Sequence, residues 1–116
     1  MNTENKPLVI IESPLAGDVE ANIAYARKCV ADSVHRGEAP IASHLLFTQP
    51  GVLNDDIPGE RALGIEAGLA WYRVADKCAV YRDRGFSKGM TQGQLRAALH
   101  GVPVEVRYIE REEVAA

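Results

Sequence analysis

What most constrains the fold of this chain is an alternation of two hydrophobic periods along it. Short apolar runs occur at Leu8-Val9-Ile10-Ile11, residues 40–46, Cys78-Ala79-Val80-Tyr81 and residues 104–108. Between them lie longer segments whose apolar residues recur every three or four positions. The short runs suit strands and the longer spacing suits one face of a helix. The first run is continuously apolar, as expected of a strand covered on both faces. Residues 104–108 alternate instead, which predicts a strand exposed on one face, at or near a sheet edge.

The helical segments carry their own punctuation. Asp18 is a candidate N-cap for a first helix with the stripe Val19, Ile23, Ala26, Val30 and Val34, stopped by Gly37. Pro58 opens a second helix at its first turn, with Leu63, Ala67, Ala70 and Val74 on one face. A third runs from Met90 to Leu99 and ends at Gly101. Strands alternating with helices predict an α/β domain of parallel βαβ units with right-handed crossovers. With no internal repeat or low-complexity linker, residues 1–109 read as one domain and 110–116 as a frayed acidic tail.

Bulk properties narrow the function. The chain of 116 residues is 47% hydrophobic, enough for one core. A net charge of −3 with scattered basic residues argues against binding nucleic-acid backbones and favours a small ligand. Cys29 and Cys78 form no Cys-x-x-Cys or Cys/His pattern, so they read as buried reduced thiols, with no metal or cofactor expected. Residues 1–6 are polar and no apolar segment approaches membrane-spanning length, so the expected setting is the cytoplasm, without a membrane partner.

Open parallel sheets bind ligands beyond the carboxyl ends of their strands, where strand order reverses. That directs attention to three segments. In the first, Glu12-Ser13-Pro14-Leu15-Ala16-Gly17-Asp18 joins a strand to a helix with small residues that let backbone N–H groups approach an anion. It is equally an ordinary turn capped by Asp18. The third, Arg82-Asp83-Arg84-Gly85-Phe86-Ser87-Lys88-Gly89-Met90, also enters a helix, with a hydroxyl at Ser87, an open backbone at Gly89 and cations nearby; phosphate or carboxylate binding competes here with a plain solvated loop. In the middle segment, His44 reads as a strand-end residue able to donate to a sugar or phosphate, or to pack in the core. Glu60 could accept from ribose hydroxyls or favour the helix start, and Arg61 could hold Glu60 or reach a phosphate. Trp71 and Tyr72 read as core or subunit-interface residues.

In order, Ser13-Pro14-x-Ala16-Gly17-Asp18, Asn22, Pro40-x-Ala42-Ser43-His44-Leu45, Pro58-x-Glu60-Arg61, Asp76 and Ser87-x-Gly89-Met90, followed by Ala97, Gly101 and Pro103-Val104, resemble the nucleoside 2-deoxyribosyltransferase-like superfamily. Its short phage and actinobacterial branch of uncharacterised domains is the most similar part. The resemblance implies a Rossmann-like three-layer sandwich in flavodoxin-like order, with a mostly parallel sheet of four to five strands and helices on both faces. It also implies a homodimer or larger homo-oligomer, and a pocket for a nucleoside or nucleotide-derived ligand. The ligand-binding residues it implies are Ser13, Pro14, Ala16, Gly17, His44, Glu60, Arg61, Ser87, Gly89 and Met90. Enzymes of the superfamily attack the anomeric carbon with a glutamate shortly after the Ser-x-Gly turn. Here that position is Gly93, followed by Gln94, and neither offers a carboxylate. Three readings stay open: a module that binds a nucleoside phosphate without that nucleophile, as a phage-type sequestering protein would; an N-glycosidase or deoxyribosyltransferase whose carboxylate has moved; or a structural domain whose pocket is vestigial. Glu60 and Asp83 are the catalytic candidates, with Glu12 a further position for that carboxylate.

Overall fold

The computed structural model describes residues 5–110. Four strands, β1 (Leu8–Glu12), β2 (Ala39–Ile41), β3 (Lys77–Tyr81) and β4 (Val104–Arg107), form a sheet in the order β2-β1-β3-β4. Every pairing is parallel. Four helices accompany them: α1 (Val19–His35), α2 (Ser43–Leu46), α3 (Pro58–Ala70), which continues into a 3-10 turn at Trp71–Arg73, and α4 (Lys88–Leu99). One core layer joins Val9, Ile11, Ala79 and Tyr81 to Tyr25 and Cys29 of α1. The other joins Ile10, Cys78 and Val80 to Tyr72, Met90 and Ala97. Helices therefore cover both faces of a doubly wound sheet, the Rossmann-like α/β class.

The strand order reverses between β1 and β3: β2 lies on one side of β1, β3 and β4 on the other. The segments following β1 and β3 leave the sheet side by side at this point. In the β1–β3 register Glu12 lies opposite Val80. Side chains alternate along a strand, so Glu12 shares the Ile10 face, toward α3 and α4.

Several sequence expectations are corrected. Of residues 40–46, read as a strand, only Pro40 and Ile41 belong to β2, whose last pairing is Ile10 with Ile41. The chain then turns into α2, where the N–H of Leu46 donates to the Ala42 carbonyl at 2.9 Å. His44 is thus helical, and residues 43–46 without a β-branched side chain offer little resistance to leaving the sheet. On α1, Val19 and Val34 are exposed while Tyr25, Ala26, Cys29 and Ser33 are buried. Two of these are polar and have partners: the Tyr25 hydroxyl donates to Asp83 at 2.6 Å and Ser33 to Glu38 at 2.7 Å. A hydrophobic stripe cannot register such residues, so its axis points elsewhere. Ala26 and Val30 of the expected stripe do meet the core, but on α3 and the turn after it the stripe is inverted: Leu63 and Val74 are exposed while Gly68 and Tyr72 are buried. On β4 it is the valines, Val104 and Val106, that are exposed, and Arg107 that is buried.

Arg107 is held by a dense network. Its guanidinium donates to both carboxylate oxygens of buried Glu38, at 2.7 and 2.6 Å, and to Glu105 at 2.8 Å. Lys77 reaches both glutamates at 3.2 Å. Of the tail expected at 110–116, Glu110 is tied down by Arg84 (2.9 Å); residues 111–116 lie outside the described residues. Cys29 and Cys78 are buried free thiols. No described helix is long and apolar enough to cross a membrane.

Candidate functional site

The reversal point opens onto a cavity of about 540 Å³, within the range of small-molecule sites. Three segments line it together: Glu12, Ser13, Leu15 and Ala16 at the end of β1, Ser43, His44, Phe47 and Thr48 with residues of α3, and Ser87, Lys88, Gly89, Met90 and Gln92 at the start of α4. Phe47, Leu53, Ile65 and Leu69 supply apolar wall. The α3 side is shaped by glycine. A Cβ on Gly68 would fall 2.9 Å from the Cβ of Ser43, so glycine there lets α2 and α3 approach.

The turns at Ser13 and Ser87 thus share one crevice. Of the helices that follow these two turns, however, only α4 brings its N-terminus into the crevice. The first turn of α4 lines the cavity, and the N–H groups of Lys88 and Gly89 have no carbonyl within the helix to bond. The first turn of α1 does not line it; Val19 faces a neighbouring groove formed by residues 50–56. Asp18 caps α1 by accepting from the Ala21 N–H at 3.2 Å. Gly17 and buried Pro14 shape the turn and are absent from the wall, whereas Ser13 and Ala16 are part of it.

His44 sits in this wall with Nε2 2.7 Å from the Ser13 hydroxyl. Burial pulls its pKa down to about 4, so the ring is neutral at physiological pH. Glu60 and Arg61 also line the cavity, but both are partly committed. Glu60 accepts from the Asn54 N–H at 3.0 Å, and Arg61 pairs with Asp55 at 2.9 Å. Ser87 caps α4, its hydroxyl oxygen accepting from the Met90 N–H at 3.3 Å.

Asp83, a catalytic candidate from sequence, is not in the wall. Its carboxylate accepts from Tyr25 and from the N–H groups of Ile109 and Glu110 at 2.9 and 3.0 Å, which fastens the chain after β4. Those donors hold its pKa below the usual carboxylate value against the opposing effect of burial.

Glu12 stands out instead. It ends β1, lines the cavity and accepts a 2.6 Å hydrogen bond from the Tyr72 hydroxyl on Oε2. Burial raises its pKa to about 7, against a smaller lowering by Tyr72. Tyr72 also lies 3.2 Å from the Cys78 sulfur, and burial raises that thiol to about 12. A Cβ built on Gly93 of α4 would collide with the Glu12 carboxylate (2.6 Å to Cδ) and with the Tyr72 hydroxyl (2.8 Å). The Glu12 carboxyl therefore fills the space where a side chain at 93 would begin. Sequence reading passed over Tyr72 because a tyrosine late in an apolar helix looks like core. The one available signal was a glutamate closing an otherwise apolar strand. Among the described residues no group of three or more His, Cys, Asp or Glu could hold a metal ion.

A search of curated proteins by sequence finds no match. Among solved structures, the chain is similar to a 2-deoxyribosyltransferase from Bacillus psychrosaccharolyticus, with a TM-score of 0.63 at 16% identity. The match covers 92% of this chain and 76% of that one. At that identity the likeness establishes a shared fold. Residues 7–107 match a family described as a domain of unknown function (DUF7768), and the chain belongs to that family.

Proposed function

We propose that the cavity at the β1/β3 reversal binds a nucleoside-type ligand carrying a phosphate. The observation that carries this reading is the convergence of the Ser13 turn and the open first turn of α4 on one partly apolar cavity. A helix N-terminus with unpaired N–H groups and Lys88 beside it favours a phosphate. The apolar wall of Phe47, Leu53, Ile65 and Leu69 suits a base, with polar groups at His44 and Glu60 for a sugar. The shared fold with a 2-deoxyribosyltransferase supports a nucleoside over other phosphate-bearing ligands. A chain that only binds would act by sequestration, as a phage-type module capturing a nucleotide-derived signal would. One that turns its ligand over needs a reactive group in the cavity.

Thermal unfolding with 2′-deoxyribonucleoside 5′-monophosphates tests the binding. At one hundred times its dissociation constant a ligand stabilises the fold by about 2.7 kcal/mol. Gly89→Val is expected to weaken that stabilisation strongly while leaving the unliganded Tm close to wild type. A Cβ at 89 meets nothing nearer than the Ser87 hydroxyl at 3.9 Å, so the added side chain enters the cavity mouth rather than the core. Equal stabilisation of the variant by the same nucleotide would remove the phosphate site from α4.

A further inference from the structure

We infer that Glu12 is the catalytic carboxylate of this cavity, bonding through an Oε to the anomeric carbon of a nucleoside ligand and releasing the base. The inference rests on the nucleoside reading above and adds an activity to it. Three carboxylates other than Glu12 could be considered, and the structure commits each elsewhere: Glu60 to the Asn54 N–H, Asp55 to Arg61, and Asp83 to Tyr25 and two backbone amides outside the cavity. Glu12 differs. One oxygen is held by Tyr72, and the other has no protein hydrogen-bond partner among the described residues although the side chain lines the cavity.

The placement of Glu12 points the same way. Glu12 is the last residue of β1, next to the Ser13 turn and across from Gly93, one turn into α4 from the Ser87–Gly89 segment. A ligand phosphate at the α4 N-terminus would leave its sugar within the part of the cavity that Glu12 faces. Gly93 is buried, and a side chain there would displace the carboxyl. The glycine and the glutamate therefore fit as a pair: β1 supplies the carboxyl, and α4 supplies the space. Tyr72 fixes the orientation of the group while donating to it, as a positioning residue. A pKa near neutrality leaves a substantial ionised fraction at physiological pH.

The chemistry balances without a cofactor. In the first step an ionised Glu12 oxygen bonds to C1′ as the C1′–N bond breaks. The electron pair leaves with the base, which takes a proton from water. In the second step a water oxygen bonds to C1′, the C1′–Oε ester bond breaks, and the water's proton offsets the one the base took up. A carboxylate suits the work because positive charge develops at the anomeric carbon in both transition states.

The experiment incubates wild type and Glu12→Gln with the four common 2′-deoxyribonucleoside 5′-monophosphates, reading free base by chromatography and binding by thermal shift. Wild type is expected to release base. Glu12→Gln is expected to bind the same nucleotide and release base at least roughly a hundredfold more slowly. Wild type that is stabilised by a nucleotide but leaves it intact would overturn the activity and leave the binding reading standing. Absence of both stabilisation and release would overturn both. Undiminished release by Glu12→Gln would overturn the assignment to this residue. A second set of variants guards against a folding artefact: Glu12→Ala is expected to be inactive, and Glu12→Ala/Tyr72→Phe/Gly93→Glu, which also removes the hydroxyl that a Cβ at 93 would meet, to regain base release by bringing a carboxylate from α4 into the same space. A triple variant as inactive as Glu12→Ala, yet folded, would count against the placement of the carboxyl.

Discussion

At the scale of single residues, the cavity holds two groups whose burial opposes their charged forms, and their effects on stability have opposite signs. Glu12 ionises near its usual 4.5 in the unfolded chain but near 7 in the fold. Between those values the folded state keeps a proton that the unfolded state has released. Its contribution is therefore full below pH 4.5 and lost as pH rises to 7, a difference of about 3 kcal/mol. His44 is neutral in the fold down to about 4 and takes up its proton near 6.5 when unfolded, so its effect is a loss of stability as pH falls from 6.5 toward 4. Comparing Glu12→Gln with wild type at each pH cancels the histidine. The variant is expected to be more stable than wild type by up to about 3 kcal/mol at pH 8, with the advantage shrinking toward pH 4.5. Denaturant titrations at the two pH values check this, and a variant less stable at pH 8 would mean that the carboxyl is not strained by its burial. A residue that weakens the fold at working pH and lines a cavity is the pattern of a group retained for function.

At the scale of elements, the close contact between α2 and α3 is what builds the cavity wall. It depends on Gly68, where a Cβ would meet Ser43. Alanine in a helix interior usually gains up to about 1 kcal/mol over glycine, but here the gain is outweighed because α2 must move. Gly68→Ala is expected to lower stability by about 1–3 kcal/mol. Gly59→Ala, in the same helix where a Cβ meets open space, is expected to leave it unchanged or raise it by about 0.5 kcal/mol. Urea unfolding of the two variants side by side separates packing from propensity. The helices also show how far the sequence could be read at this scale. The existence and order of α1, α3 and α4, the Asp18 cap and the Pro58 start were legible, because such signals are local chemistry within a turn of helix; α2, whose residues read as strand, and the Ser87 cap were not. Which face each helix buries was not. The α1 stripe holds only at its middle, where Ala26 and Val30 meet the core, while its ends Val19 and Val34 and the α3 residues Leu63 and Val74 are exposed; the inward places go to Tyr25 and Tyr72, which bond residues far along the chain, and to Ser33, which bonds Glu38 just past the helix.

At the scale of the whole molecule, the buried Arg107–Glu38 pair ties the last strand to the segment between α1 and β2. Its two hydrogen bonds hold the Glu38 pKa down at about 2. Stability from this pair is present above pH 4.5 and lost as pH falls toward 2. Arg107→Met leaves buried Glu38 with only Lys77 and Ser33 as partners among the described residues and is expected to cost up to about 3–5 kcal/mol; Arg107→Met/Glu38→Gln is expected to recover much of that, because both charges of the pair are then removed. If the double variant were as unstable as the single, packing around the arginine rather than charge would be what the pair supplies.

The sequence by itself determined the parallel α/β architecture, through the order of its two hydrophobic periods, and it marked the segments after the first and third strands as those that meet. Both rest on local information: strand and helix periods, caps, and the rule that places ligands at the reversal of strand order. Only the tertiary structure decided which groups meet there. It left Asp83 outside the cavity wall and placed His44 on a helix against Ser13. It also set Glu12 beside Tyr72 in the space that Gly93 leaves open. Those pairings join residues tens of positions apart, and their chemistry depends on burial and on distances of a few ångströms, which no pattern along the chain encodes.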